Sequence, residues 1–258
     1  MLVKMIPQFE DGLILKRHML KAVADAAFLT GDYLHADYAD GILAGCRVEA
    51  AADRLFVKEG VVLSDGQIYL IREPLAVSYA PANRTMVLKL CFSDEIRDAD
   101  CIYRELDLVL TVQTKMQRGQ LELCRFKLQE GAVLRSRYQD FEDRNTEFDT
   151  LNTIYAPYSA VGEATLAPEI TKGFAREMLA KDGITDFDAL FCLQILGGAG
   201  PVGKEALRGY LERRNREKVA DDSNMGIYRE LVRILRQENG AGKTEAAPKK
   251  KKWKVMMD

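Results

Sequence analysis

Histidine is nearly missing from this chain: His18 and His35 are the only two among 258 residues. His18 falls on an expected helix and His35 in an expected loop, so a surface or packing role suits each. No Cys-x-x-Cys pair occurs, and no Cys–His pairing follows from spacing. The five cysteines, Cys46, Cys91, Cys101, Cys124 and Cys192, are odd in number and scattered. That argues against a disulfide framework and a zinc module, and fits a chain made in a reducing compartment in which most of the cysteines are small core hydrophobes. No stretch approaches the ~20 apolar residues of a membrane span. The start, MLVKMIPQFEDGLILK, has acidic residues where a secretory signal would carry its apolar core. No internal repeat is present.

What is there describes a globular protein. Hydrophobic residues make up 47% and charged residues 29%, enough for an ample core in one or two domains. The formal net charge is −2, unevenly spread: residues 241–258 carry +4, which leaves −6 for the rest. An acidic body is poorly suited to bind nucleic acid across its main surface.

The run RLFVKEGVVLSDGQIYLI, Arg54 to Ile71, is the most informative stretch. Asp65-Gly66 between apolar segments predicts a hairpin with a type I′ turn, which needs φ > 0 at both central residues. The run is apolar on both faces in places, with Phe56 beside Val57 and Val61 beside Val62. It is therefore expected to be buried within the β domain or against a symmetry mate, and to line no substrate pocket.

A helix is expected over about 13–30, ended by Gly31, and a loop over GDYLHADYADGILAG. Candidate strands follow at 46–50, 54–58, 61–64, 67–71, 74–79, 85–92, 101–112, 120–128 and 132–136. Leu106, Leu108 and Leu110 alternate with Asp107 and Val109, the period of a half-buried strand. Residues 136–164 read as a polar and aromatic crossover. Helices are expected from Pro168 to about Ala180, from a cap at Asp186, from Lys204 to about Lys218, and from Asn224 to about Gln237. The expected fold class is α+β. It has an N-terminal helix, an antiparallel β-rich domain (sandwich or open barrel), a small C-terminal helical bundle and a basic tail. The divisions fall at 1–45, 46–136, 137–164, 165–238 and 239–258.

Candidate chemistry is sparse. Gly198 to Lys204 matches the G-x-x-x-x-G-K part of a phosphate-binding loop. Glu205 stands where a Mg²⁺-binding hydroxyl is needed, too little chain follows to build further parallel strands, and FCLQIL has the capped start of a helix. A Gly-rich interhelical turn is the expectation. Gly240 to Thr244 lacks the first glycine of the pattern and sits in low-complexity chain. Asp140, Glu142, Asp143, Glu147 and Asp149 cluster, without the ligand spacing or glycine of a calcium loop, and read as a solvated crossover. No catalytic, cofactor-binding or metal-binding residue is assigned, and no cofactor is implied. In the tail, lysines 249–252 and Lys254 surround Trp253, the only tryptophan. Trp253, Val255, Met256 and Met257 are candidate partner-docking residues, with the lysines steering them to an acidic surface; transient contact with anionic lipid or nucleic acid and a solvated disordered end are the alternatives.

The segments IPQFEDGLILKRHML, YADGILAG, VKEGVVLSDGQIYLI, YRELDLVL, LELCRFKL, DFEDRNTEFDTLN and IYAPYS carry a resemblance over about residues 5–235. The chain resembles baseplate or tail-fibre-linking structural proteins of phage-like contractile tails and contractile injection systems of Gram-positive bacteria. The Lys-rich tail has no counterpart in that pattern. The resemblance implies a non-enzymatic structural or adaptor component, synthesised in the cytoplasm and incorporated into a phage-tail-like particle. Its implied partners are other tail, baseplate or fibre proteins, and copies of itself in a homo-oligomer, a trimer by the symmetry of such machines. Two alternatives remain: a nucleotide-binding, helicase-like enzyme using the Gly198–Lys204 loop, and a cytosolic tail-assembly factor.

Overall fold

The computed structural model describes residues 5–146 and 149–241. In chain order these residues form α1 (Arg17–Leu34), β1 (Gly41–Gly45), β2 (Val48–Ala50), β3 (Arg54–Val57), β4 (Gly60–Ser64), β5 (Gln67–Ile71) and β6 (Leu75–Ser78). They continue with β7 (Thr85–Phe92), β8 (Ile96–Arg97), β9 (Ile102–Tyr103), β10 (Leu106–Thr111) and β11 (Gln120–Lys127). A short 3-10 helix at Glu142–Asn145 precedes α2 (Pro168–Leu179), α3 (Asp186–Gly197), α4 (Lys204–Asn215) and α5 (Asn224–Ala241). The class is mixed α+β. These strands pair antiparallel in three sheets, ordered β1-β4-β5, β2-β3-β6 and β10-β7-β11, and a ribbon β8-β9.

The Arg54–Ile71 run is shared between two sheets, because β3 pairs with β2 and β6 while β4 and β5 pair with each other. Asp65 at φ 49° and Gly66 at φ 70° give the type I′ turn that the Asp-Gly pair requires. Leu55, Val57 and Val62 are buried, as the two-faced apolar pattern demands. The outer strand departs from that pattern: Tyr69 is half-buried against Phe92, and Leu70 is exposed.

Several expected boundaries move. The first helix does not stop at Gly31 but continues to Leu34. Gly31 is where the helix rests on β5, since a Cβ there would lie 2.9 Å from Ile68 Cδ1. GILAG is strand β1 and not loop. Its glycines permit close approach: Gly45 at φ 69° faces Gly60 across the ladder with no room for a side chain. The expected strand at 132–136 reduces to one bridge, Arg135 to Thr150. The expected strand at 101–112 is interrupted between Tyr103 and Leu106. Asp186 is the first residue of α3, and the cap is Thr185, whose hydroxyl accepts the Asp188 N–H at 3.1 Å.

β7 is the central strand of its sheet, and its middle is buried on both faces, so the alternation is lost: Val87, Leu88, Lys89 and Leu90 are all buried. Edge strand β10 keeps the alternation, with Asp107 and Val109 exposed and Leu106, Leu108 and Leu110 packed against the core. Buried Lys89 donates to Lys115 O at 3.0 Å and Gln120 Oε1 at 3.2 Å, so its polar end is not left without partners.

One hydrophobic core runs from the sheets through the crossover into the helices. Phe141, in the crossover, meets Tyr228 of α5 at 4.9 Å and Phe174 of α2 at 6.0 Å between ring centroids. Tyr228 Oη donates to Phe141 O at 2.7 Å, satisfying its hydroxyl in an apolar setting. Pro168 opens α2, where its missing N–H costs nothing, and Ile170, Phe174 and Met178 form its buried stripe.

Candidate functional site

Several of the residues singled out for chemistry are engaged in structural work. FCLQIL lies within α3, so the Gly198–Lys204 segment joins two helices and has no strand before it. Gly198, Gly200 and Gly203 all keep φ outside the left-handed region, and Lys204 Nζ lies 3.6 Å from Glu163. His18 is exposed, and His35 closes α1 through its Nδ1, 2.9 Å from Gly31 O. Cys46, Cys124 and Cys192 are buried, and burial pushes the Cys46 thiol up to about 11 and Cys192 to about 12. Trp253, Val255, Met256 and Met257 lie outside the described residues, as do Glu147 and the Gly240–Thr244 segment beyond Ala241.

The acidic crossover is a clamp on arginines. Arg135 makes a bidentate pair with Asp143, both contacts at 2.6 Å, and reaches Asp149 at 3.0 Å. Glu142 pairs with Arg236 of α5, and Asp140 accepts the Asp143 N–H at 2.8 Å. Hydrogen bonds from Arg135 hold the Asp143 and Asp149 carboxyls below the usual carboxylate range. Their contribution to stability is complete above the unfolded-state value near 3.9 and is lost as pH falls through the depressed folded value. The urea midpoint should therefore fall between about pH 5 and pH 2, and Arg135→Met should flatten that dependence, as read from unfolding curves at a series of pH values.

Unpartnered apolar surface is concentrated at the N-terminal end. α1 has no buried residue. Leu20, Val23, Ala27, Thr30 and Leu34 are all exposed and recur at alternating steps of three and four, the a/d spacing of a helix seam. Phe28 is 72% exposed and Leu34 67%; Ile6, Phe9, Leu13, Ile14 and Leu15 before the helix are exposed too. The helix is about 27 Å long, yet it touches the body mainly at β5, near its C-terminal turn. The sequence pattern showed the period of this helix, but the stripe that a globular fold would turn inward faces away from the core.

A cleft of about 560 Å³ is the second feature. One wall is β2 with Arg47, and another is Ser136–Tyr138. Ile42, Cys46, Leu123, Ala156 and Tyr158 contribute its apolar lining. Arg47 and Glu169 form an ion pair at 3.1 Å beside it. Arg144 lies 4.3 Å over the Tyr138 ring, and its Nε is buried with no acceptor. A shallower groove lies between Glu142 and the Tyr228–Gln237 side of α5. No residue of the Arg54–Ile71 run lines either cleft. Sequence reasoning did not find the first cleft, because its walls come from segments about 90 and 120 residues apart with no shared motif.

Among the described residues, no helix is long and apolar enough to cross a membrane, and no group of three or more His, Cys, Asp or Glu is placed to hold a metal.

No protein-family model matches the chain, and no curated protein matches it. Among solved structures it is similar to a crystal structure of TssK, at 11% identity over 92% of this chain and 69% of that one, TM-score 0.41. It is also similar to a chain of the type VI secretion system TssK-TssF-TssG baseplate subcomplex, at 10% identity over 90% of this chain and 99% of that one, TM-score 0.45. A chain of the baseplate complex from the type VI secretion system is similar at 11% identity over 91% and 100%, TM-score 0.38. Likenesses this distant do not establish a shared fold.

Proposed function

We propose that this protein is a non-enzymatic structural or adaptor component of a contractile, phage-tail-like particle, at its baseplate or fibre attachment. The β-rich part and the C-terminal helices form the body, and the N-terminal region is the element that assembles. The particle belongs to a Gram-positive host, as the sequence resemblance implies, and the chain is incorporated into it after synthesis in the cytoplasm.

One observation carries the reading: an 18-residue helix with an exposed apolar seam and no buried residue. Contiguous apolar surface on this scale costs free energy in water and marks a surface meant for another protein. The a/d spacing suits packing of α1 against copies of itself, and a trimer matches the rotational symmetry of tail machines.

Sedimentation equilibrium tests this directly. The full chain should be a trimer, and the variant Leu20→Glu with Val23→Glu and Leu34→Glu should be a folded monomer with an unchanged circular-dichroism spectrum. A wild-type chain that stays monomeric at all concentrations would overturn the assembly role of α1. Mass spectrometry of finished particles separates a structural part, which is present, from an assembly factor, which is absent.

A further inference from the structure

We propose that the free edge of β2 is a docking site for an extended, acidic segment of a partner protein, which adds as a further antiparallel or parallel strand inside the cleft. The site is separate from α1 and does not depend on the assembly reading given above.

The backbone geometry defines the edge. β2 is the outer strand of the β2-β3-β6 sheet. Lys58 N–H donates to Arg47 O at 2.9 Å and Ala51 N–H to Arg54 O at 2.8 Å. Antiparallel ladders alternate, so Arg47, Glu49 and Ala51 spend their backbone groups on β3. The N–H and C=O groups of Val48 and Ala50 therefore point away from β3. Among the described residues no hydrogen bond reaches them from the other side. Edges of this kind are normally blunted by a proline, an inward-pointing charge or a covering element. This one opens instead into a cleft of about 560 Å³. An incoming strand would exchange main-chain hydrogen bonds with Val48 and Ala50, and alternate side chains would enter the apolar lining beside Leu123 and Tyr158.

The charge of the cleft selects the partner. Its two carboxylates are already paired, Glu169 with Arg47 at 3.1 Å and Glu49 with Lys58 at 3.2 Å. Arg137 and Arg144 also line the cleft, and neither forms an ion pair with a carboxylate among the described residues. Arg144 stacks on Tyr138 and reaches Glu169 O from Nη2 at 3.4 Å, and its charge also acts through space on Asp143 and Glu177. The cleft lining carries three guanidiniums, Arg47, Arg137 and Arg144, against two carboxylates that are already paired, a balance that favours a segment carrying Asp or Glu. The same balance disfavours the chain's own lysine-rich end.

Panning the full chain against displayed random peptides of about eight residues, the length of an ordinary strand, provides the probe. Enriched peptides should alternate Asp or Glu with Val, Ile or Ala. Fluorescence anisotropy with a labelled enriched peptide should show binding weakened about tenfold by Val48→Pro, which removes an outward N–H without touching the β3 ladder. Arg137→Glu, at an exposed position, should weaken it by a similar factor, while the α1 charge variant should bind unchanged. No enrichment, enrichment of basic or proline-rich peptides, or full affinity in a folded Val48→Pro chain would overturn the proposal. So would displacement of the acidic peptide by a synthetic peptide of residues 249–258, which would identify the chain's own tail as the occupant.

Discussion

Asp188→Ala should destabilise the protein by about 3 kcal/mol, the lower end of the cost of breaking a buried ion pair. Asp188 is fully buried on α3. Its carboxylate accepts from Arg214 Nε at 3.1 and 3.2 Å, from Tyr210 Oη at 2.8 Å and from Thr185 Oγ1 at 2.7 Å. Alanine removes the acceptor for all three donors. It leaves the buried Tyr210 hydroxyl without that acceptor and the Arg214 charge without this carboxylate. The loss stays at the lower end because the Arg214 side chain is 20% exposed and can turn toward water. Asp188→Asn keeps one acceptor oxygen and should cost less. Urea unfolding of the two variants reads the difference; an alanine variant as stable as wild type would show that the cluster does not hold α3 to α4.

Gly60→Ala should cost about 3 kcal/mol or more, through overpacking against backbone that cannot yield. A Cβ at Gly60 would overlap Cys46 N and Sγ and lie 2.6 Å from Ala44 O. Those atoms sit where β1 leaves the ladder, with Cys46 itself at φ 54° and its N–H bonded to Glu59 O at 3.0 Å. Gly66→Ala gives the contrasting case. No heavy atom lies within 4 Å of its Cβ, but φ is 70°, so the cost should be about 1 kcal/mol of backbone strain. Thermal unfolding of both variants separates lack of space from lack of conformational freedom. Equal effects would contradict the close approach of β1 and β4.

Local chemistry was legible wherever it decided the outcome alone. Asp65-Gly66 specifies its turn because only a few residue types tolerate two successive positive φ values. Leu106 to Leu110 alternates because β10 is an edge strand with one wet face. Pro168 and the apolar stripe of α2 follow from helix geometry without reference to the rest of the chain. The missing hydroxyl at Glu205 and the capped start before FCLQIL were enough to read Gly198–Lys204 as a turn between helices.

Distant contacts decided the rest. GILAG reads as loop by composition, and it is a strand because β4 passes close enough to require its glycines. β7 loses its alternation because both of its faces are buried, and no window of sequence records that. Gly31 looks like a helix stop until Ile68 is seen beside it. By itself, then, the sequence determined the class of the fold, its turns and the period of its helices, all of which depend on residues within a few positions of one another. Only the tertiary structure decided which way those faces point. It leaves the seam of α1 facing solvent, and it brings the edge of β2 together with Arg137 and Arg144 from about 90 residues away. Such placements are set by which elements pack against each other, a property of the whole chain that no local pattern carries.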